Sequence, residues 1–329
     1  MRQNKIIRLV FLVTVILIAG IALLSVVKQG DTQPSFEVGK IAISDDNIEI
    51  NYYEYGQKGP VLVFIHGWSC DATYWREQVN YFKEKYRIIL LDLAGHGRSG
   101  SERENYTTKA FSQDVKTVVE SVKANKVILI GHSMGALVSV EAALLMPDKV
   151  IGLVAIDDFQ NVEYSLSKEQ LEEMVTPFRE DFKQAMRGFV GGMLHLDNLP
   201  VNEWIISDMS LADPEVAISA INETLGNYLR GDAAKLFDEL YIPVIAINTD
   251  LWPTDIEANK RHIKDFELIE LDGLDHFLML KSPERFNPAL EQAVKTILNI
   301  RKSGGRVRRL EDLGNICKRL KKVGGYISF

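Results

Sequence analysis

The segment Gly131-His132-Ser133-Met134-Gly135 joins an uncharged apolar run, Val127-Ile128-Leu129-Ile130, to a stretch with helix-forming composition. A G-x-S-x-G pattern between a strand and a helix marks a sharp turn that presents a serine oxygen above a sheet, and its flanking glycines remove side chains that would collide there. A serine hydroxyl is a poor nucleophile unless a base takes its proton and fixed N–H groups receive the charge that develops on the attacked carbonyl. His66-Gly67-Trp68 closes another apolar strand, Val61-Leu62-Val63-Phe64-Ile65. With one donor drawn from the loop after that strand and one from the residue after the nucleophile, the oxyanion hole is expected at the Trp68 and Met134 N–H groups.

Six histidines could act as the base. His66, His96 and His132 lie in glycine-rich turns and read as structural hydrogen-bonding groups, and His195 and His262 lie on helical segments facing solvent or a cap. His276 instead follows the last expected strand, in Leu271-Asp272-Gly273-Leu274-Asp275-His276-Phe277, ahead of the final helix. A carboxylate must orient such a histidine and stabilise its imidazolium. Asp250 is expected to do so from the end of the strand in Pro243-Val244-Ile245-Ala246-Ile247-Asn248. Asp157 or Asp158, at the end of the preceding strand, is the alternative, and Asp255 is a weaker candidate.

The elements that would position these groups alternate. Strands are expected at residues 36–43, 48–55, 61–65, 87–92, 126–130, 150–156, 243–248 and 266–271, with helices at 72–84, 108–124, 135–146, 255–263 and 283–300. Continuous apolar runs in the middle strands indicate burial on both faces of a mostly parallel sheet, so the fold class is α/β, doubly wound. The rhythm breaks over 158–240, which reads as helices only and is expected to cap the ligand crevice at the carboxyl ends of the strands. The core would then comprise 31–157 and 241–300.

Composition separates the ends from this body. The 329 residues carry a net charge of −7, with 46% hydrophobic and 25% charged residues, ordinary values that exclude disordered and fibrous classes. Cys70 and Cys317 are too few and too distant to define a zinc site or demand a bridge. Residues 1–30 hold Arg2, Lys5, Arg8 and Lys28 with no acid, and 301–329 hold nine bases against Glu311 and Asp312, which leaves −18 on residues 31–300. That acidic body argues against nucleic-acid binding. The uncharged run 9–27 is long enough to span a bilayer, so 1–30 reads as an uncleaved N-terminal transmembrane anchor. The positive-inside rule puts the N-terminus in the cytoplasm and the body outside; the alternative is a cleaved signal peptide and secretion. The tail 301–329 reads as a solvated extension, with a basic amphipathic helix over 306–323 lying on an anionic membrane surface as the alternative.

His66-Gly67-Trp68, Asp92-Leu93-Ala94-Gly95-His96-Gly97-Arg98-Ser99, Gly131-His132-Ser133-Met134-Gly135 and Asp275-His276-Phe277 together resemble the α/β-hydrolase superfamily, and within it esterases and lipases with a helical cap. The resemblance covers about residues 36–300. It implies acyl transfer to Ser133, with His276 as base, Asp250 as its partner and the two N–H groups as oxyanion hole, and with neither metal nor organic cofactor. Haloalkane dehalogenases and epoxide hydrolases of this fold carry Asp where Ser133 stands, which disfavours their reactions. Asp275 occupies a position where glycine is common, and a carboxylate there would raise the pKa of the histidine. The expected substrate is a small-molecule carboxylic ester with an apolar part; the stripe Phe178, Phe182, Met186, Phe189 and Met193 reads as packing, with a lining of the ligand crevice as the alternative. A non-catalytic, ligand-binding or signalling member of the same fold is the alternative.

Overall fold

The computed structural model describes residues 38–195 and 200–302. Eight strands form one sheet: β1 (Lys40–Ile43), β2 (Glu49–Tyr55), β3 (Val61–Ile65), β4 (Arg87–Leu91), β5 (Val127–His132), β6 (Val150–Ile156), β7 (Val244–Asn248) and β8 (Phe266–Glu270). Their spatial order is β1-β2-β4-β3-β5-β6-β7-β8. The β1–β2 and β2–β4 pairs are antiparallel, and every pair from β4 onward is parallel. All residues of β3, β5 and β7 are buried, as their unbroken apolar composition requires.

The strand order turns at β3. The chain runs from β3 to β4 on one side and then crosses to β5 on the other, and a doubly wound sheet opens its ligand crevice at the carboxyl ends of strands where the order reverses. The two glycine-flanked motifs of the sequence, at His66 and Ser133, end these two neighbouring strands. Helices pack on the sheet by apolar faces of matching width. Met134–Leu145 is apolar almost all round and largely buried, whereas Pro283–Lys302 buries one side, with Phe286, Asn287, Ala289, Leu290, Ala293, Val294 and Ile297.

Between β6 and β7 the described residues contain five helices: Lys168–Glu180, Phe182–Gly191, Pro200–Met209, Pro214–Leu229 and Asp232–Asp238. Local signals start them. Ser167 and Gln170 form a reciprocal capping box on the first, and Asp213 caps the fourth ahead of Pro214, each cap being worth about 1 kcal/mol. Side chains also tie this helical segment to the sheet: the Trp68 indole donates to the Ala217 carbonyl at 2.7 Å, and the Tyr74 hydroxyl donates to Asp208 at 2.9 Å.

The membrane expectations are corrected at this point. Among the described residues no helix is long and apolar enough to cross a membrane. The run 9–27 and the basic pattern 306–323 lie outside the described residues. A single-pass placement with an extracytoplasmic body is therefore withdrawn.

Candidate active site

Ser133 follows the last residue of β5 and precedes the helix Met134–Leu145, with φ 49° and ψ −127°. A non-glycine residue with positive φ is strained, and such strain recurs where a side chain must be aimed. The turn closes only because its flanks are bare. A Cβ on Gly131 would overlap the Gly135 carbonyl, and a Cβ on Gly135 would stand 2.5 Å from the Ile65 and His66 carbonyl oxygens. The second clash lies across the β3–β5 seam, so Gly135 is what allows the serine turn to approach the His66-Gly67-Trp68 loop.

His276 meets a carboxylate, but not the one expected first. Its Nδ1 donates to Asp157 Oδ2 at 2.7 Å. The other oxygen of Asp157 accepts from the Thr249 N–H at 2.9 Å and from the Thr249 hydroxyl at 3.0 Å. Burial alone would raise the Asp157 carboxyl, but the hydrogen bond and charge of His276 and the two Thr249 donors outweigh it and hold it below its usual range. Asp250, in contrast, is exposed, and its carboxylate accepts from the Gly273 N–H at 2.7 Å. Asp255 caps the helix Ile256–His262 through Ala258 N–H. Asp158 lies beside Asp157 and turns to the pocket, with one oxygen accepting from Phe159 N–H at 2.6 Å.

The remaining histidines are structural. His66 accepts from Leu93 N–H at Nε2 and donates from Nδ1 to the Gly67 carbonyl. His96 donates from Nδ1 to Ala94, and His132 donates from Nε2 to the His276 carbonyl at 2.9 Å. Burial lowers all three, to about 4 for His66 and about 3 for His96 and His132, so they are neutral.

Asp275 is engaged by three other groups. Its Oδ2 accepts from Lys281 Nζ at 2.5 Å and from the His195 N–H at 3.0 Å, and its Oδ1 accepts from Phe277 N–H. The charge is answered by Lys281, and the His195 bond holds the histidine loop to the helical segment. The His276 N–H adds a second tie, to the Met193 carbonyl.

These groups line one cavity of about 210 Å³. Ser133, His276, Asp157, Trp68 and Met134 all reach it, so the two residues expected to supply oxyanion donors lie in the same pocket as the serine. The apolar wall comes from Phe189, Met193, Met209, Ile221, Leu225 and Trp252. The expected aromatic and methionine stripe is thus divided: Phe178 and Met186 are buried in packing, while Phe189 and Met193 line the pocket. Trp252 stands edge-on to the His276 ring at 5.5 Å. Sequence reasoning missed Thr249, Gln160, Tyr228 and Trp252, and only the first had a visible cue, its place next to the expected acid.

Comparison with known proteins agrees with the geometry. Residues 60–200 match the model of the α/β-hydrolase fold family. The chain is similar to human epoxide hydrolase 4, 31% identical over 120 residues, which is 36% of this chain but only a third of that protein's length. It is 25% identical over 249 residues to 2-(acetamidomethylene)succinate hydrolase of Mesorhizobium japonicum, covering 72% of this chain and 88% of the relative. Its fold matches an esterase from Exiguobacterium antarcticum with a TM-score of 0.70 at 19% identity, over 78% of this chain and 99% of that one. With the sheet order, the strained serine turn and the sequence motifs in agreement with these matches, the chain belongs to the α/β-hydrolase superfamily.

Proposed function

We propose that the protein is a serine hydrolase of small carboxylic esters, with Ser133 as nucleophile, His276 as general base and Asp157 as the carboxylate that orients it. The observation that carries this reading is the 2.7 Å bond between His276 Nδ1 and Asp157 beside a serine held at positive φ in the same pocket. With the proton on Nδ1, the lone pair of the neutral imidazole is at Nε2, the form needed to accept the Ser133 proton. Oγ then adds to the ester carbonyl, and the oxyanion is received by the N–H groups of Trp68 and Met134. His276 returns the proton to the departing alkoxide, and a water molecule repeats the sequence to release the acid and restore Ser133. Because its carboxyl is held low, Asp157 stays ionised and stabilises the imidazolium without taking its proton.

Pocket size limits the substrate. A cavity of about 150 Å³ accepts benzene, so about 210 Å³ accommodates roughly eight to ten non-hydrogen atoms. The helical segment 158–240 serves as the cap that supplies the apolar wall, which favours short acyl or alcohol groups over long lipid chains. The serine at the elbow favours ester cleavage over the epoxide chemistry named for the human relative.

The test is covalent labelling with a serine-directed fluorophosphonate together with turnover of methyl butyrate. Both are expected in the wild type and absent in Ser133→Ala; equal labelling of the two proteins would overturn the assignment.

A further inference from the structure

The pocket is apolar except at one corner that the hydrolytic steps do not use. Asp158 follows the catalytic carboxylate directly and faces the cavity. Tyr228, from the helix Pro214–Leu229, lines the same cavity, and its hydroxyl acts to lower the Asp158 carboxyl against the effect of burial. Gln160, two residues beyond Asp158, lines the cavity too, and its amide nitrogen is buried with no partner among the described residues. Thr224 completes the corner, but its hydroxyl is already spent on the Ala220 carbonyl at 2.7 Å.

A buried amide N–H without an acceptor costs roughly 1–3 kcal/mol, and a carboxylate taken from water costs more unless donors reach it. Burial does act on Asp158, whose carboxyl is pushed up to about 7. The corner thus holds one donor lacking an acceptor and one acceptor that gains from another donor. A hydroxyl group answers both at once, donating to the carboxylate and accepting from the amide. A methylene answers neither.

We infer that Asp158, Gln160 and Tyr228 form a polar subsite that selects esters bearing a hydroxyl group on the acyl or alcohol portion. The inference rests on the serine hydrolase reading and narrows its substrate class. Neither Asp158 nor Gln160 is assigned a part in bond cleavage; each acts as a specificity determinant. Sites built to hydrogen-bond a hydroxyl discriminate strongly against analogues that lack it, because their own polar groups are then left unpaired.

The experiment compares kcat/KM for methyl butyrate with methyl 2-hydroxybutyrate and methyl 3-hydroxybutyrate, and for ethyl butyrate with 2-hydroxyethyl butyrate, in the wild type, Gln160→Leu and Tyr228→Phe. At least one hydroxylated ester should be preferred tenfold or more over its parent in the wild type, and the ratio should fall below threefold in Gln160→Leu. Because the ratio is taken within one protein, loss of folded material cancels. The same esters are also titrated against Ser133→Ala by tryptophan fluorescence, which reads binding without turnover. No turnover of any ester, with tighter binding of a hydroxylated one that Gln160→Leu abolishes, would sink the hydrolase reading and keep the subsite. Equal affinities and equal kcat/KM across the pairs, or a preference that survives Gln160→Leu, would overturn the subsite.

Discussion

Ser133 and Asp157 share one backbone state at equivalent places: φ is 49° and 47°, and each is the first residue beyond one of two neighbouring parallel strands, whose last residues His132 and Ile156 are paired. The Ser133 N–H donates to the Ile156 carbonyl at 3.1 Å, and the Asp157 N–H donates one strand further, to Ile247, at 2.9 Å. Each strand thus hands its terminal bond to the next, and both side chains leave the sheet at the same level. Two residues of positive φ stepped across adjacent strands bring a serine and a carboxylate into the pocket that His276 also lines.

The first consequence concerns the acid. Asp157→Asn should lower kcat/KM by about 10³–10⁴, since the amide favours the wrong histidine tautomer. Asp250→Asn keeps an amide oxygen that can still accept from the Gly273 N–H and should change activity by less than about threefold. Steady-state kinetics of the two variants on one ester decides between them, and a loss of equal size in Asp250→Asn would refute the Asp157 assignment.

Strain at the serine can be read in stability. Ser133→Gly and Ser133→Ala both remove the nucleophile, but only glycine relaxes at φ 49°. Relief of about 1–2 kcal/mol should leave Ser133→Gly melting roughly 2–4 °C above Ser133→Ala. Identical melting temperatures would mean that the turn carries no stored strain.

Lys281 and Asp275 are a buried pair, with side chains 7% and 1% exposed. Asp275→Asn takes the Asp275 carboxylate from the buried Lys281 ammonium and should destabilise the fold by about 3 kcal/mol, whereas Asp275→Asn combined with Lys281→Met should recover part of that. Urea denaturation of the single and double variants measures the coupling; additive losses would show that the pair is not a unit.

His262 links the helical segment to the core with a definite pH sense. Its Nδ1 faces Asp238 Oδ1 at 2.9 Å and its Nε2 faces Glu163 Oε1 at 3.0 Å, so both bonds require the imidazolium. Partial burial would lower its pKa, but the two carboxylates prevail and raise it above the usual 6.5. A raised pKa means that the stabilisation is complete below about 6.5 and is lost as pH rises through the higher folded value. Hydrogen exchange of residues 232–238, corrected for its intrinsic pH dependence, should therefore accelerate between pH 6 and 9 in the wild type and not in His262→Gln. No difference between the two proteins would show that the clasp does not restrain this segment.

How far these features are legible in the sequence depends on what sets them. Strands β3, β5 and β7 are visible because burial on both faces demands unbroken apolar runs, and Ser133 because a strand-to-helix turn of that sharpness needs glycine on both sides. Asp157 and Asp250 are indistinguishable by the same means. Both end strands that pair in parallel, and what separates them is the positive φ at Asp157 and the two donors of Thr249, neither of which residue type reveals. The partners of Asp275 are hidden for a related reason: Lys281 and the His195 N–H come from the following turn and from a segment 80 residues away. The helix expected at 72–84 begins instead as a 3₁₀ turn, Ala72–Trp75, where Asp71 caps the chain by accepting from Thr73 N–H.

His276 is gripped by three parts of the chain, through its N–H to Met193, its carbonyl to His132 and its ring to Asp157. The last two partners lie 144 and 119 residues away. Contacts closed over such long loops form late in folding, after the local helices and the first strand pairs. His276 is therefore set only when the β5 and β6 strand ends, the helical segment and the C-terminal loop have all docked. The grip on His276 is an all-or-none readout of the finished tertiary structure, which a partly assembled sheet with native secondary structure would not possess.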